Sequence, residues 1–147
     1  MNRSEVTERI MESKIQNGIR WSDVAAALGG SKEWVTAACL GQMAFTAEQA
    51  AQVAAIFKLP HKAIAVLQVP VARGTLDRPV PSDPLIYRLY EIVSVYGTTL
   101  KELIHEEFGD GIMSAIDFRM EVVRQEDDAG DRVGITMSGK FLPYKPY

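Results

Sequence analysis

Cysteine is all but missing from this 147-residue chain. Cys39 stands alone, which excludes an intrachain disulfide framework and every multi-cysteine metal site. Histidine is nearly as scarce: His61 and His105 are too few for a histidine-rich metal centre. No run of about 18 apolar residues exists to span a bilayer. Met1 to Glu12 mixes charges of both signs and has no apolar h-region, so no secretory signal is visible and a cytoplasmic location is expected. Cations are not in excess either. Residues 1–80 carry nine Lys/Arg against seven Asp/Glu, a balance of +2, while residues 81–147 carry seven against twelve, a balance of −5. Neither half has the bulk charge of a polyanion binder, because counterion release needs clustered cations. What is present is ordinary globular composition, with 47% apolar and 24% charged residues. The length suits one compact domain or two small ones sharing a boundary, enough to bury roughly two-thirds of the unfolded surface.

The prolines divide the chain. Five of the seven fall between Pro60 and Pro84, and Pro79, Pro81 and Pro84 nearly adjoin. The stretch 70–84 therefore reads as a stiff, extended connection between a domain 1–75 and a domain 76–147. Before it the pattern predicts a bundle of five short helices. Val6, Ile10 and Ile15 mark the first. Ser22 is a candidate N-cap for Asp23–Leu28, which stops at Gly29-Gly30; Ser31 caps Lys32–Leu40, ended by Gly41; Thr46 caps a helix to Lys58; Pro60 opens His61–Gln68.

After Pro84 the character changes, and the whole predicts an α+β chain. Leu85–Tyr96 reads as a helix ended by Gly97, and Leu100–Phe108 as another, ended by Gly109. From Ile116 the period becomes two: Ile116, Phe118, Met120 and Val122 alternate with charged residues. Val133, Ile135 and Met137 repeat the alternation after the acidic turn 126–131, and a Ser138-Gly139 turn leads to Phe141-Leu142. An isolated ribbon is marginal in water, so this part is expected to pair with another copy of itself.

The helix over 85–96 is the candidate to carry chemistry. Nine of its twelve residues are apolar, so it should be buried on most sides. The polar exceptions Arg88, Glu91 and Ser94 lie three apart and form one narrow seam. Exposed, such an Arg–Glu pair contributes a few tenths of a kcal/mol. In so apolar a helix it is expected in a partly desolvated crevice, where a binding or catalytic use weighs evenly against a structural one. Downstream, Gly109-Asp110-Gly111 suggests a tight bend exposing backbone N–H groups, with Ser114 at its rim; an ordinary turn is the plainer reading.

The segment Asp83-Pro84-Leu85-Ile86-Tyr87-Arg88-Leu89-Tyr90-Glu91, then Val95-Tyr96-Gly97-Thr98-Thr99 and His105 through Ile116, strongly resembles the cyanase (cyanate hydratase) family. The likeness is dense over about 83–118 and extends to Gly139-Lys140-Phe141-Leu142-Pro143. It is looser in the first half, where Leu40-Gly41-Gln42 and Arg73-Gly74 fit. The resemblance implies a catalytic arginine, glutamate and serine at Arg88, Glu91 and Ser114. Leu85 and Leu89 depart from the family's usual threonine and phenylalanine, which touches pocket shape rather than chemistry. It further implies bicarbonate-dependent decomposition of cyanate through carbamate to ammonia and carbon dioxide. No metal or organic cofactor is implied, bicarbonate being a co-substrate. The implied assembly is a homodecamer, five dimers in a ring, with the second domain intertwined between the two chains of a dimer. No membrane partner is implied.

Trp21 to Gly41 offers a rival, since it resembles a helix-turn-helix and so suggests a transcriptional regulator. Its would-be recognition helix presents Lys32, Glu33, Trp34, Thr36 and Ala37. Base readout favours Arg, Asn, Gln and Lys, and phosphate binding needs several cations, whereas here one lysine stands beside one glutamate. No nucleic-acid partner is therefore expected. His105 reads as a partly exposed polar contact, His61 as part of a helix start, Cys39 as a small core residue, and Trp21 and Trp34 as packing. The acidic run 126–131 reads as a solvated hairpin loop that could also touch a neighbour in a ring.

Overall fold

The computed structural model describes residues 1–71 and 79–146. The chain divides into two compact units, Met1–Thr75 and Leu76–Tyr147. The fold is α+β, with five short helices in the first unit and a long helix plus a two-stranded sheet in the second. Residues 72–78 of the connection expected over 70–84, Arg73 and Gly74 included, lie outside the described residues.

In the first unit the helices are α1 (Arg3–Asn17), α2 (Trp21–Leu28), α3 (Lys32–Cys39), α4 (Ala47–Ile56) and α5 (Lys62–Gln68). Their starts are set by local hydrogen bonds. Asn2 and Glu5 form a reciprocal capping box on α1, Ser31 Oγ accepts from Trp34 N at 3.1 Å, and Thr46 and Gln49 repeat the box on α4. Ser22 is not the cap of α2, contrary to expectation. The helix starts at Trp21 and the cap position falls on Arg20, which makes no side-chain cap bond. The Trp21 ring packs on Phe57 at 6.0 Å, and that contact holds the residue in the helix. Tertiary packing overrides the local signal here.

The core of this unit is Val6, Ile10, Val24, Val35, Cys39, Val53, Phe57 and Leu67, all essentially inaccessible. Each larger side chain contributes roughly 1.5–3 kcal/mol by leaving water. Trp34 meets Phe45 edge-on at 5.7 Å, so both tryptophans pack the bundle. Arg3 and Thr7 on α1 close the end of α3. The guanidinium donates to the carbonyls of Ala38 and Met43, and the Thr7 hydroxyl donates to Cys39 O at 3.4 Å. Carbonyls left over at a helix C-terminus attract a cation, which explains a half-buried arginine at this point.

The second unit comprises α6 (Pro84–Phe108), β1 (Gly111–Gln125) and β2 (Arg132–Pro143). The two helices expected around Gly97 are one helix of 25 residues. Glycine in a helix costs roughly 0.5–1 kcal/mol against alanine but breaks nothing by itself. A strong start outweighs it: Asp83 Oδ1 accepts from Leu85 N and Ile86 N at 2.9 Å, and Pro84 takes the first-turn position where its missing N–H does no harm.

The strands also run longer than the alternation indicated. β1 begins at Gly111 rather than Ile116, and Ser138-Gly139 is not a turn, because β2 continues through it to Pro143. The antiparallel ladder pairs Phe118 with Gly139 and Arg119 with Ser138, then resumes beyond an irregularity at Met113 opposite Phe141. The acidic segment is the loop between the strands, exposed as expected, with Arg124 paired to Asp131 at 3.2 Å. At the other end Phe108 stacks on Phe141 with centroids 5.2 Å apart, tying the end of α6 to β2.

Burial is very uneven between the two units. Every buried apolar side chain of the described residues belongs to the first. α6 buries none of its residues within the chain.

Candidate functional site

Arg88 and Glu91 stand one turn apart near the start of α6, their charged ends 3.7 Å apart. The i, i+3 spacing puts both on one face, as the seam required. Their side chains are 65% and 52% exposed, so within one chain the crevice expected around them is absent. The reason is geometric: no other element of this unit lies over that face of α6 deeply enough to bury a residue of it. Water then screens the pair, and its contribution to stability stays within a few tenths of a kcal/mol. One neighbour went unnoticed in the sequence. The Arg88 guanidinium sits 5.7 Å from the Tyr87 ring centroid, and Tyr87 lies 6.0 Å from Tyr90. An aromatic face steadies a guanidinium while leaving its N–H fork free in plane. Adjacency of Tyr87 to Arg88 was the available signal.

Ser114 is built differently. It is 8% exposed and is the one polar residue buried within the chain among the described residues. It opens the irregular part of β1, where the chain turns back on its own side chain. Ile116 N–H and Asp117 N–H donate to Ser114 Oγ at 3.1 and 2.9 Å. A serine hydroxyl has two acceptor lone pairs and one donor hydrogen. Both lone pairs are taken, so the remaining capacity of this hydroxyl is donation. Such a group can donate to an acceptor oxygen; it is poorly disposed to act as a nucleophile or base. The two amides also orient the hydroxyl.

The bend itself is pinned from several sides. Gly109, at φ 85°, closes α6 with its N–H on His105 O at 2.9 Å. His105 Nε2 lies 3.3 Å from the Gly111 carbonyl oxygen and 4.0 Å from Asp110 Oδ1, and Tyr144 N donates to Asp110 O at 3.0 Å. His105 is thus the partly exposed polar contact expected.

One chain does not bring Ser114 to the Arg88–Glu91 pair. Twenty residues of helix separate Arg88 from Phe108, about 30 Å of rise, and the chain from Phe108 to Ser114 can span at most about 20 Å, too little to bring Ser114 back to Arg88. The structure therefore presents two site fragments: an exposed cation–carboxylate pair on a helix, and a buried hydroxyl donor on a bulged strand. Among the described residues, no group of three or more His, Cys, Asp or Glu could hold a metal ion. No helix of the described residues is long and apolar enough to cross a membrane.

These fragments lie in the second of two segments that match family models. Residues 3–70 match the N-terminal model of cyanate hydratase, and residues 78–146 match the C-terminal domain model of cyanate lyase. Together they define a two-part lyase chain, a helical unit followed by a helix-and-hairpin unit. The chain belongs to the cyanate hydratase family. It is 63% identical over 147 residues to the cyanate hydratase of Methylibium petroleiphilum and, equally, to that of Polaromonas sp. strain JS666, with the whole of each chain covered. The crystal structure of cyanase from T. urticae superposes with a TM-score of 0.83 at 36% identity, covering 94% of this chain and 96% of that one.

Proposed function

We propose that this chain is a cyanate hydratase of the cytoplasm, decomposing cyanate with bicarbonate as co-substrate and without a metal or organic cofactor. Bicarbonate oxygen attacks the cyanate carbon. The adduct takes up a proton and loses carbon dioxide by cleavage of the bond between the former bicarbonate carbon and the bridging oxygen. The carbamate left behind takes up a second proton and separates into ammonia and carbon dioxide. Two small anions must be brought together, so repulsion is the obstacle. Arg88 offers a permanent cation in a planar fork that offsets it. Ser114 donates to negative charge that grows on the adduct. Glu91 orients Arg88 or moves one of the protons. Holding two reactants in place is itself worth several kcal/mol, so no protein nucleophile is needed.

The observation that carries this reading is the donor-only state of Ser114, with both lone pairs occupied, in a chain of this family. A hydroxyl held in this way as a donor suits anion binding. Because one chain separates Ser114 from Arg88 and Glu91, the working site takes its fragments from different copies. A ring of five dimers, intertwined through the second unit, would supply them and cover the apolar face of α6.

A transcriptional regulator is not favoured. Trp34, which a recognition helix would offer to a groove, packs on Phe45, and Lys32 lies 3.7 Å from Glu33. The decisive measurement is ammonia release from cyanate with and without bicarbonate. Turnover is expected only with bicarbonate; equal rates in bicarbonate-free buffer would remove the mechanism.

A further inference from the structure

We infer that Gly139 on β2 is a positioning residue for Ser114, holding open the space that its bulge requires. The inference rests on the role proposed for Ser114 as an anion donor.

Between the pairs Met113–Phe141 and Phe118–Gly139, β1 uses four residues, 114–117, where β2 uses Lys140 alone. An excursion of that size leaves the ladder and bends the strand. Its first peptide comes up against β2 at Gly139. A Cβ there would overlap the Ser114 carbonyl oxygen and stand 2.6 Å from Met113 Cγ and 3.3 Å from Met113 Sδ. The methionine side chain is flexible and can give way. The carbonyl cannot move without its peptide plane, and that plane carries the Ser114 α-carbon. Nor is the rest of the bulge free to absorb the shift, because Ile116 N–H and Asp117 N–H are bonded to Ser114 Oγ. Any side chain at 139 therefore displaces Ser114 or breaks its turn. Glycine within a strand signals this kind of close backbone approach. A displacement on the order of 1 Å in a group that meets the reacting atoms can cost about 10²-fold in rate.

The test is a double-mutant cycle on the full chain, with kcat and KM for cyanate measured at saturating bicarbonate and assembly followed by sedimentation. G139A should lower kcat by at least about tenfold while the assembly keeps its size. In an S114A background the same change should alter kcat less than about twofold, since the group it positions is gone. M113A/G139A should stay as slow as G139A, because the carbonyl overlap remains. The inference is overturned if G139A keeps near-normal kcat, if it costs the same factor with and without Ser114, or if M113A restores activity. Failure of both Gly139 variants to assemble would also overturn it, making Gly139 a requirement of folding. Near-normal turnover of S114A by itself would instead sink the proposed role of Ser114, and so tells the two failures apart.

Discussion

A single hydroxyl illustrates how much of this protein is decided by hydrogen-bond bookkeeping at one residue. Ser114 accepts twice from its own strand, and that saturation turns an amphoteric group into a donor. In the proposed mechanism Arg88 is its chemical counterpart, and there the planar fork matters as much as the charge. Arg88→Lys keeps the charge but loses the fork, so kcat/KM for cyanate should fall by roughly 10²-fold, and Arg88→Leu should abolish measurable turnover. Ammonia release from the assembled variants checks both; near-normal activity in the lysine variant would show that charge alone suffices. Cys39 makes a prediction of a different kind. Burial pushes its thiol up to about 12, with Arg3 pulling weakly the other way. An unfolded thiol ionises at lower pH, so between that value and about 12 the unfolded chain has lost a proton that the folded chain still holds. The stabilisation is complete below the ordinary thiol pKa and declines as pH rises through this window. Denaturant unfolding from pH 8 to 11 should show a steeper loss of stability in the native chain than in Cys39→Ala. Parallel curves for the two proteins would refute it. That Cys39 is a small core residue was legible in its alanine-rich surroundings; the arginine beside it was not, since Arg3 is far away in sequence.

At the scale of elements, start signals proved more telling than stop signals. Ser31 and Thr46 were legible as caps because their hydrogen bonds are local and need only the next three residues. Ser22 failed as a cap because Trp21 packs on Phe57, an event outside the local window. Gly97 failed as a stop for a related reason: a helix ends where continuing costs more than it gains, and α6 continues past one glycine. Its start is held by Asp83, which bonds two amides of the first turn. Asp83→Ala should destabilise the second unit by about 1 kcal/mol. The loss should be read as earlier amide exchange at Leu85 and Ile86, with turnover falling as the Arg88 turn frays; unchanged exchange there would deny the cap its role. In the strands, alternation identified the central stretch. It missed the bulge, because four residues opposite one erase the period of two. Ser138-Gly139 read as a turn by residue type, whereas both residues hold ladder pairs, with Arg119 and Phe118.

For the molecule as a whole, the decisive feature is the contrast between a unit with a core and a unit without one. α6 leaves Leu85 72% exposed and Val93 63% exposed, and β1 leaves Ile116 82% exposed. Apolar surface on that scale marks an interaction face. Val93→Glu should prevent assembly and abolish turnover together, while the first unit keeps its fold. Sedimentation and far-ultraviolet dichroism report the two effects, and full assembly of the variant would mean that this face is not buried between copies. Shared sites make a sharper prediction. Arg88→Leu chains, inactive alone, and Ser114→Ala chains, slow but measurable alone, should gain activity when unfolded and refolded together. The recovered fraction should be about a quarter of the sites, the chance that both fragments come from intact copies in a random mixture. No recovery would place a whole site within one chain.

The sequence alone, through its resemblance to a family, named Arg88, Glu91 and Ser114 as site candidates, and its prolines marked two unlike parts of the chain. The division of the chain follows from residue type and short-range periodicity, which need no knowledge of distant contacts. It also showed the apolar helix that asks for a partner. Only the tertiary structure decided that Ser114 has nothing left but a hydrogen to donate, that Arg88 and Glu91 stand in water within one chain, and that Gly139 faces a carbonyl rather than a turn. Each of these depends on how strands register across space, and register is a property of pairs of segments that no single segment contains.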